Sequence, residues 1–192
     1  MGRIVVTEFI SLDGVIEDPG GSEDFKHGGW SFEFNRGEDG NSFKLEETRN
    51  AEAMLLGRVT YEGFAEAWPQ RTEEDETGFA DKFNNMPKYV VSSKLKEPLE
   101  WNNSELLEGD PIEATEKLKD ELDGEIVVHG SATLAQSLIE NDLVDEIRLM
   151  VFPVVLGAGK RLFAETSDKK PMKLADSKTV GDGVSVLTFQ RA

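Results

Sequence analysis

The 192-residue chain contains no cysteine, which rules out disulfides, thiolate metal sites and a cysteine nucleophile. Histidine is almost as scarce. His27 and His129 are the only two, too few for a multi-histidine centre, so no metal is expected. No apolar run approaches the roughly 20 residues needed to cross a bilayer. The opening residues Met1-Gly2-Arg3-Ile4-Val5-Val6 lead straight into a strand, with no small-residue cleavage pattern. No secretory leader is read there, and a cytoplasmic location is the expectation. Positive charge is also short: 21 lysines and arginines against 38 aspartates and glutamates give a net charge of −17. Such a molecule repels nucleic acid and anionic membranes, which excludes both as partners. There is no Walker lysine, no Gly-x-Ser-x-Gly elbow, no internal repeat and no low-complexity linker. Gly157-Ala158-Gly159 lacks a third glycine and a following helix, so it reads as a loop.

What remains is an ordinary globular composition, 38% hydrophobic and 31% charged, in a chain long enough to bury one full core. A single domain over residues 1–192 is expected. Two junctions stand out. The first is Ala53-Met54-Leu55-Leu56-Gly57-Arg58-Val59-Thr60-Tyr61, and the second is Glu125-Ile126-Val127-Val128-His129-Gly130-Ser131-Ala132-Thr133-Leu134. In each, a short apolar run ends in glycine and a hydroxyl residue follows where an amphipathic helix should begin. Glycine admits a ligand close to the backbone, and the free amides of a helix start attract anions. Two such junctions side by side suit the phosphates of a dinucleotide. Against so acidic a background, cations beside them carry particular weight.

The periodicity predicts a strand at 4–10 and a turn at Leu12-Asp13-Gly14-Val15. A glycine-rich, acidic stretch at 17–40 holds Trp30, Phe32 and Phe34, and reads either as an ordered cover or as a disordered surface loop. Helices are predicted at 43–51, 60–68 (stopped by Pro69), 78–84, 111–122 and 131–140, with strands at 53–56, 88–92, 125–129 and 146–155. The fourth helix carries Asp110 as N-cap, Pro111 at its first position and Glu113 placed for a capping box. Residues 172–180 and 184–190 form a hairpin around Gly181-Asp182-Gly183. This order implies an α/β fold in three layers: a mostly parallel central sheet with an antiparallel C-terminal hairpin, and helices on both faces.

Each candidate site residue has two readings. Arg58 can reach a phosphate at the helix start and Thr60 can cap the helix or donate to the same group; alternatively Gly57 only turns the chain and Arg58 is solvated. Ser92, Ser93 and Lys94 end a strand where open α/β sheets bind ligands, and would suit a 2′-phosphate, hence NADP over NAD; the alternative is a polar loop. Gly130 and Ser131 offer amides, and Ser131 or Thr133 a hydroxyl, to a pyrophosphate, yet Ser131 is equally explained as an ordinary N-cap. His129 is either structural or a proton donor. Asp13 is either an acceptor on the substrate side or a cap for the turn at Gly14.

Taken together these residues resemble the dihydrofolate reductase-like superfamily, closest to the reductase domain of the riboflavin-pathway deaminase–reductase proteins and its stand-alone relatives. The likeness spans nearly the whole chain. It rests on Ser11-Leu12-Asp13-Gly14, Leu56-Gly57-Arg58-Val59-Thr60-Tyr61, Tyr89-Val90-Val91-Ser92, Val128-His129-Gly130-Ser131-Ala132-Thr133-Leu134 and Pro153-Val154-Val155-Leu156-Gly157-Ala158-Gly159. The resemblance implies NADPH as cofactor, held by Gly57, Arg58, Thr60, Ser92, Ser93, Lys94, Gly130, Ser131, Ala132 and Thr133, with Asp13-Gly14 flanking the nicotinamide. It also implies a homodimer, with residues 149–155 and the terminal hairpin near the interface. The riboflavin reductases carry glutamate where this chain has His129 and a second glycine where it has Ser131. Folate reductases place a carboxylate on the helix before the glycine–arginine strand, for which Asp39 is the candidate.

The expected activity is therefore NADPH-dependent reduction of a small heterocyclic (pterin- or pyrimidinone-like) or carbonyl substrate. Asp13 is the first choice for the substrate side and His129 the second, with Trp30 and Phe32 stacking over a flat substrate. The alternatives are a catalytically silent, nucleotide-binding regulatory homodimer and a true dihydrofolate reductase.

Overall fold

The computed structural model describes residues 1–74 and 77–192. Its elements run β1 (Arg3–Ser11), α1 (Gly37–Asn50), β2 (Ala51–Gly57), α2 (Arg58–Ala67), α3 (Phe79–Asn85), β3 (Lys88–Val91), β4 (Ser104–Leu107), α4 (Pro111–Glu121), β5 (Glu125–His129), α5 (Ala132–Glu140), β6 (Val144–Phe152), β7 (Met172–Val180) and β8 (Val184–Arg191). The strands form one sheet in the order β4-β3-β2-β5-β1-β6-β8-β7. β1 pairs in parallel with both β5 and β6, β2 with β3 and β5, and β3 with β4, whereas β8 pairs antiparallel to β6 and β7. The expected parallel sheet with a terminal antiparallel hairpin is what forms.

Central strands read as continuous apolar runs because both their faces are covered. Ile4 and Val6 of β1 point to one side and pack with Leu118 of α4 and Leu134 and Leu138 of α5. Val5 points to the other and packs with Tyr61 of α2 and Phe83 of α3. α1 lies on this second side too, since its Glu47 accepts a hydrogen bond from Thr7, two residues along from Val5. A third cluster, Trp30, Met150, Phe152, Val180, Val184 and Val186, closes the hairpin end.

Local chemistry sets several boundaries. Asp110 accepts from the amides of Ile112 and Glu113 at 2.9 and 3.1 Å, the N-cap expected for α4. α1 begins at Gly37, earlier than the sequence pattern indicated, because the face it buries is polar: Lys44, Glu47 and Thr48, with Gly40. A search for apolar periodicity passes over such a helix. At Gly40 α1 lies close against the sheet, since a Cβ there would sit 3.2 Å from Val180 Cγ2 and 3.3 Å from Met150 Cε. β4 was not foreseen at all. It offers only Leu106 and Leu107 as apolar residues and borrows its conformation from pairing with β3.

The base of β3 is held by an unusual group. Lys88 is fully buried, and its ammonium donates to the carbonyls of Asn84, Met86 and Asn102 at 3.0, 2.8 and 2.7 Å while lying 4.4 Å from the Trp101 ring centroid. Burial brings its pKa down to about 8. The three carbonyls nonetheless account for all three of its protons. Among the described residues no helix is long and apolar enough to cross a membrane.

Candidate functional site

The chain that leaves β5 enters α5 on one face of the sheet, whereas the chain that leaves β1 reaches α1 on the other. Neighbouring parallel strands whose connections diverge in this way open a crevice beyond their carboxyl ends, where open α/β sheets bind ligands. The last rung between the two strands is Thr7 with His129. Past it the strands separate, and both glycine junctions meet there.

Their meeting is held by explicit bonds. The Gly57 amide donates to Ser131 Oγ at 2.9 Å, the Ser131 amide donates to Thr60 Oγ1 at 2.9 Å, and Ser131 Oγ donates to the His129 carbonyl at 3.0 Å. Ser131 is therefore not the ordinary N-cap of α5. It has a left-handed φ of 53° and makes no side-chain capping bond. Its hydroxyl instead joins β5 to β2. Gly130 also has φ 53°, and a Cβ added there would lie 2.9 Å from Thr60 Oγ1. The position is thus closed to side chains both by conformation and by space.

Around this knot lie the other sequence-derived candidates. Arg58 opens α2 and pairs with Glu62 at 2.7 Å, half exposed. Ala132 and Thr133 form the first turn of α5, the latter exposed. Ser92 Oγ accepts from the amides of Lys94 and Leu95 at 3.0 and 3.1 Å, which folds the loop after β3 and leaves Ser93 and Lys94 exposed. Two helix starts with Arg58 and Lys94 in the flanking segments have the chemistry of an anion site.

The substrate-side candidates are engaged in contacts of their own or face solvent. Asp13 accepts from Ser11 Oγ at 2.6 Å and from the amides of Leu156 and Gly157 at 3.1 and 2.8 Å. These bonds, the Ser11 hydroxyl's first, hold its pKa down to about 2. The carboxylate thereby ties the turn at Gly14 to the loop after β6, and Arg161 adds a bond to the Asp13 carbonyl. His129 packs against Phe83 and Phe64 with centroids 5.4 and 6.1 Å apart. Burial, and then the charge of Lys44, push its pKa down to about 3, so the ring stays neutral. Asp39 is exposed on the first turn of α1, with no hydrogen bond or ion pair among the described residues. Trp30 is not poised over a cleft. It is 1% exposed, donates its indole N–H to the Glu17 carbonyl at 2.8 Å and meets Phe152 edge-on. Phe32 is its opposite, 77% exposed.

Sequence reasoning missed a set of buried polar groups beside the crevice. On the α1 face, the Lys44 ammonium donates to Thr7 Oγ1 at 2.9 Å and pairs closely with Glu47. Burial, the largest influence, would raise the Glu47 carboxyl, but Lys44 and its other partners, the Thr7 hydroxyl among them, together outweigh it and leave the pKa below the usual range. The buried carboxylate of α1 is thus Glu47 rather than Asp39. On the opposite face Glu8, also buried, accepts from the Gly130 amide at 3.1 Å. Thr7-Glu8 in the middle of an apolar strand was the available signal, because polar residues inside a doubly covered strand need a reason.

Known proteins share this fold. Residues 3–186 match the family model described as the RibD C-terminal domain, and the chain belongs to that family. Two uncharacterized proteins of Bacillus subtilis (strain 168) are similar over nearly their whole lengths. YyaP is 26% identical over 97% of this chain and 94% of its own, and YwjB 31% identical over 92% and 91%. Among solved structures, a Shewanella sp. PV-4 protein named provisionally for riboflavin biosynthesis superposes with a TM-score of 0.75 at 21% identity, covering 99% of both chains. A pyrimidine reductase-like protein of Corynebacterium diphtheriae gives 0.64 at 13% identity, over 99% of this chain and 92% of its own. Dihydrofolate reductase of Enterococcus faecalis, solved with NADP(H), gives 0.57 at 15% identity, over 98% and 96%. The fold is dihydrofolate reductase-like, and family and fold together support a reductase-type function.

Proposed function

We propose that the protein is an NADPH-dependent reductase of a small heterocyclic substrate, pterin- or pyrimidinone-like, or of a small carbonyl compound. The observation that carries this reading is the knot between Gly57, Thr60, Gly130 and Ser131, which brings two helix starts to one crevice. The amides of α2 and α5 hold the pyrophosphate, with Arg58 turning from Glu62 to it, and Ser92, Ser93 and Lys94 take the 2′-phosphate. When bound, the coenzyme supplies a hydride to the substrate carbon. The protein positions the two partners and excludes water. Asp13 serves this chemistry by fixing the Gly14 turn, since a carboxyl held at about 2 is a poor proton donor near neutrality.

The coenzyme's extra phosphate supplies the test. A charge-assisted bond is worth roughly 1.5–3 kcal/mol, so Lys94→Ala should weaken NADPH binding about 10–100-fold and leave NADH binding nearly unchanged. Fluorescence titration with both coenzymes reads this. Equal loss for NADPH and NADH, or no loss for either, would remove Lys94 from the phosphate site.

A further inference from the structure

Glu8 is the first residue of β1 beyond its last rung with β5, and its backbone goes on pairing only with Leu149 of β6. The side chain, 5% exposed, reaches across the opened gap, where Oε2 accepts from the Gly130 amide at 3.1 Å. Oε1 is buried with no hydrogen-bond partner among the described residues. Leaving a buried oxygen unpaired costs about 1–3 kcal/mol. A fold that retains it beside Gly130, where β1 and β5 part, holds an unpaired oxygen that a ligand entering the gap can satisfy. The other acid candidates are occupied or remote: Asp13 is tied into its turn, His129 is enclosed by aromatic rings, and Asp39 faces solvent.

We infer that Glu8 is the proton donor of the reduction carried out in this crevice, an inference that rests on the coenzyme reading above. As the substrate's C=N or C=O bond opens, its carbon takes a hydride from the coenzyme and its nitrogen or oxygen takes the proton from Glu8 Oε1. The carboxylate so formed is reprotonated from solvent, which closes the balance. The surroundings suit an acid of this kind. Burial, first, raises the Glu8 pKa well above the usual carboxylate range; the Gly130 amide and the Lys44 ammonium oppose this, and the charges of Glu47 and Glu23 add to it. Glu8 becomes anionic as it gives up its proton, and a bound coenzyme, which would supply the hydride and be left cationic, would favour that charge.

The same coupling is measurable without turnover. A cationic ring beside Glu8 favours its carboxylate, so the oxidised coenzyme should expel a proton that the reduced one does not. Calorimetry in two buffers of different ionisation enthalpy, repeated from the ordinary glutamate range up to neutrality, counts those protons. NADP+ binding to the wild type should release up to roughly one proton more than NADPH binding, the 2′-phosphate contribution cancelling between them. In Glu8→Gln, which keeps an oxygen for the Gly130 amide, the difference should vanish while NADPH affinity stays within about twofold. With a pyrimidinone that the wild type reduces, this variant should be slower by about 10²–10⁴-fold. Equal proton release by both coenzymes in the wild type overturns the inference without recourse to any variant. So does a difference that survives in Glu8→Gln, or a wild-type rate in that variant. If neither coenzyme binds the wild type, or if no pyrimidinone, dihydropterin or quinone is reduced, the reductase reading itself fails, and the role of Glu8 with it.

Discussion

Arg148→Met should destabilise the protein by about 3–5 kcal/mol, the cost of stripping one partner from a buried ionic network. Arg148 projects from β6 to the same face as Thr7 and engages three carboxylates. Its Nη2 lies 2.7 Å from Glu125, its Nε 2.6 Å from Glu146 and its Nη1 3.6 Å from Glu47. Burial alone would lower the guanidinium's pKa, but Glu125 and the other carboxylates overcome it and raise the value above its ordinary range. After the substitution, Glu146 keeps Arg3 at 2.7 Å and Glu47 keeps Lys44. The damage therefore falls on Glu125, which retains only the longer contact to Arg3 at 3.4 Å and already has one oxygen unpartnered. Urea unfolding of the variant measures the loss. A change below about 1 kcal/mol would show that these carboxylates regain water or protons freely, which buried charges should not do.

The second large effect is concealed in the wild type and appears when either of two residues is changed. His129 is neutral in the folded protein down to about pH 3, while in the unfolded chain it takes up a proton near its ordinary value of 6.5. The unfolded state therefore binds more protons, and His129 costs stability as pH falls below 6.5. Glu8 acts with the opposite sign. Its folded pKa is raised well above the ordinary 4.5, so between that value and the folded one the folded state holds the extra proton and acid favours folding. Above about pH 4.5 the two contributions oppose each other, so acid should cost the wild type less stability than His129 alone would impose. Glu8→Gln should lose roughly 1 kcal/mol for each pH unit of acidification from about pH 6.5 to 4.5, whereas His129→Phe, which suits the pocket of Phe64 and Phe83, should gain stability on acidification. Glu47 and Glu146, whose folded values lie below the ordinary 4.5, contribute only further into acid. Denaturation midpoints across the window decide the matter. Parallel profiles for wild type and Glu8→Gln would mean that Glu8 is ionised in the fold.

Much of this architecture was legible in the sequence because it depends on local, repeating signals. The apolar runs of β2, β5 and β6, the Asp110-Pro111 helix start and the terminal hairpin all have strong short-range patterns, and their order is enough to imply the sheet. The two glycine junctions were legible for the same reason, and the structure brings them together through Ser131 and Thr60. What escaped notice was decided by tertiary contact. The polar buried face of α1 makes sense only once Thr7 and Arg148 stand opposite it. β4 exists because β3 offers it an edge. Trp30 looked available for a ligand because an indole in a glycine-rich loop gives no hint of Phe152 beneath it. Glu8 was passed over as one polar residue in a strand, since its meaning lies in Gly130, distant in sequence and 3.1 Å away in space.

The most direct measurement is a map of backbone amide shifts as NADPH is added to the wild-type protein. The account predicts that the largest changes fall together on Gly57, Arg58, Gly130, Ser131 and Ala132, with a smaller set at Ser93 and Lys94, and that β7 is undisturbed. Shifts concentrated instead in the cavity lined by Tyr61, Ala65, Leu99 and Trp101, or none at millimolar coenzyme, would contradict it.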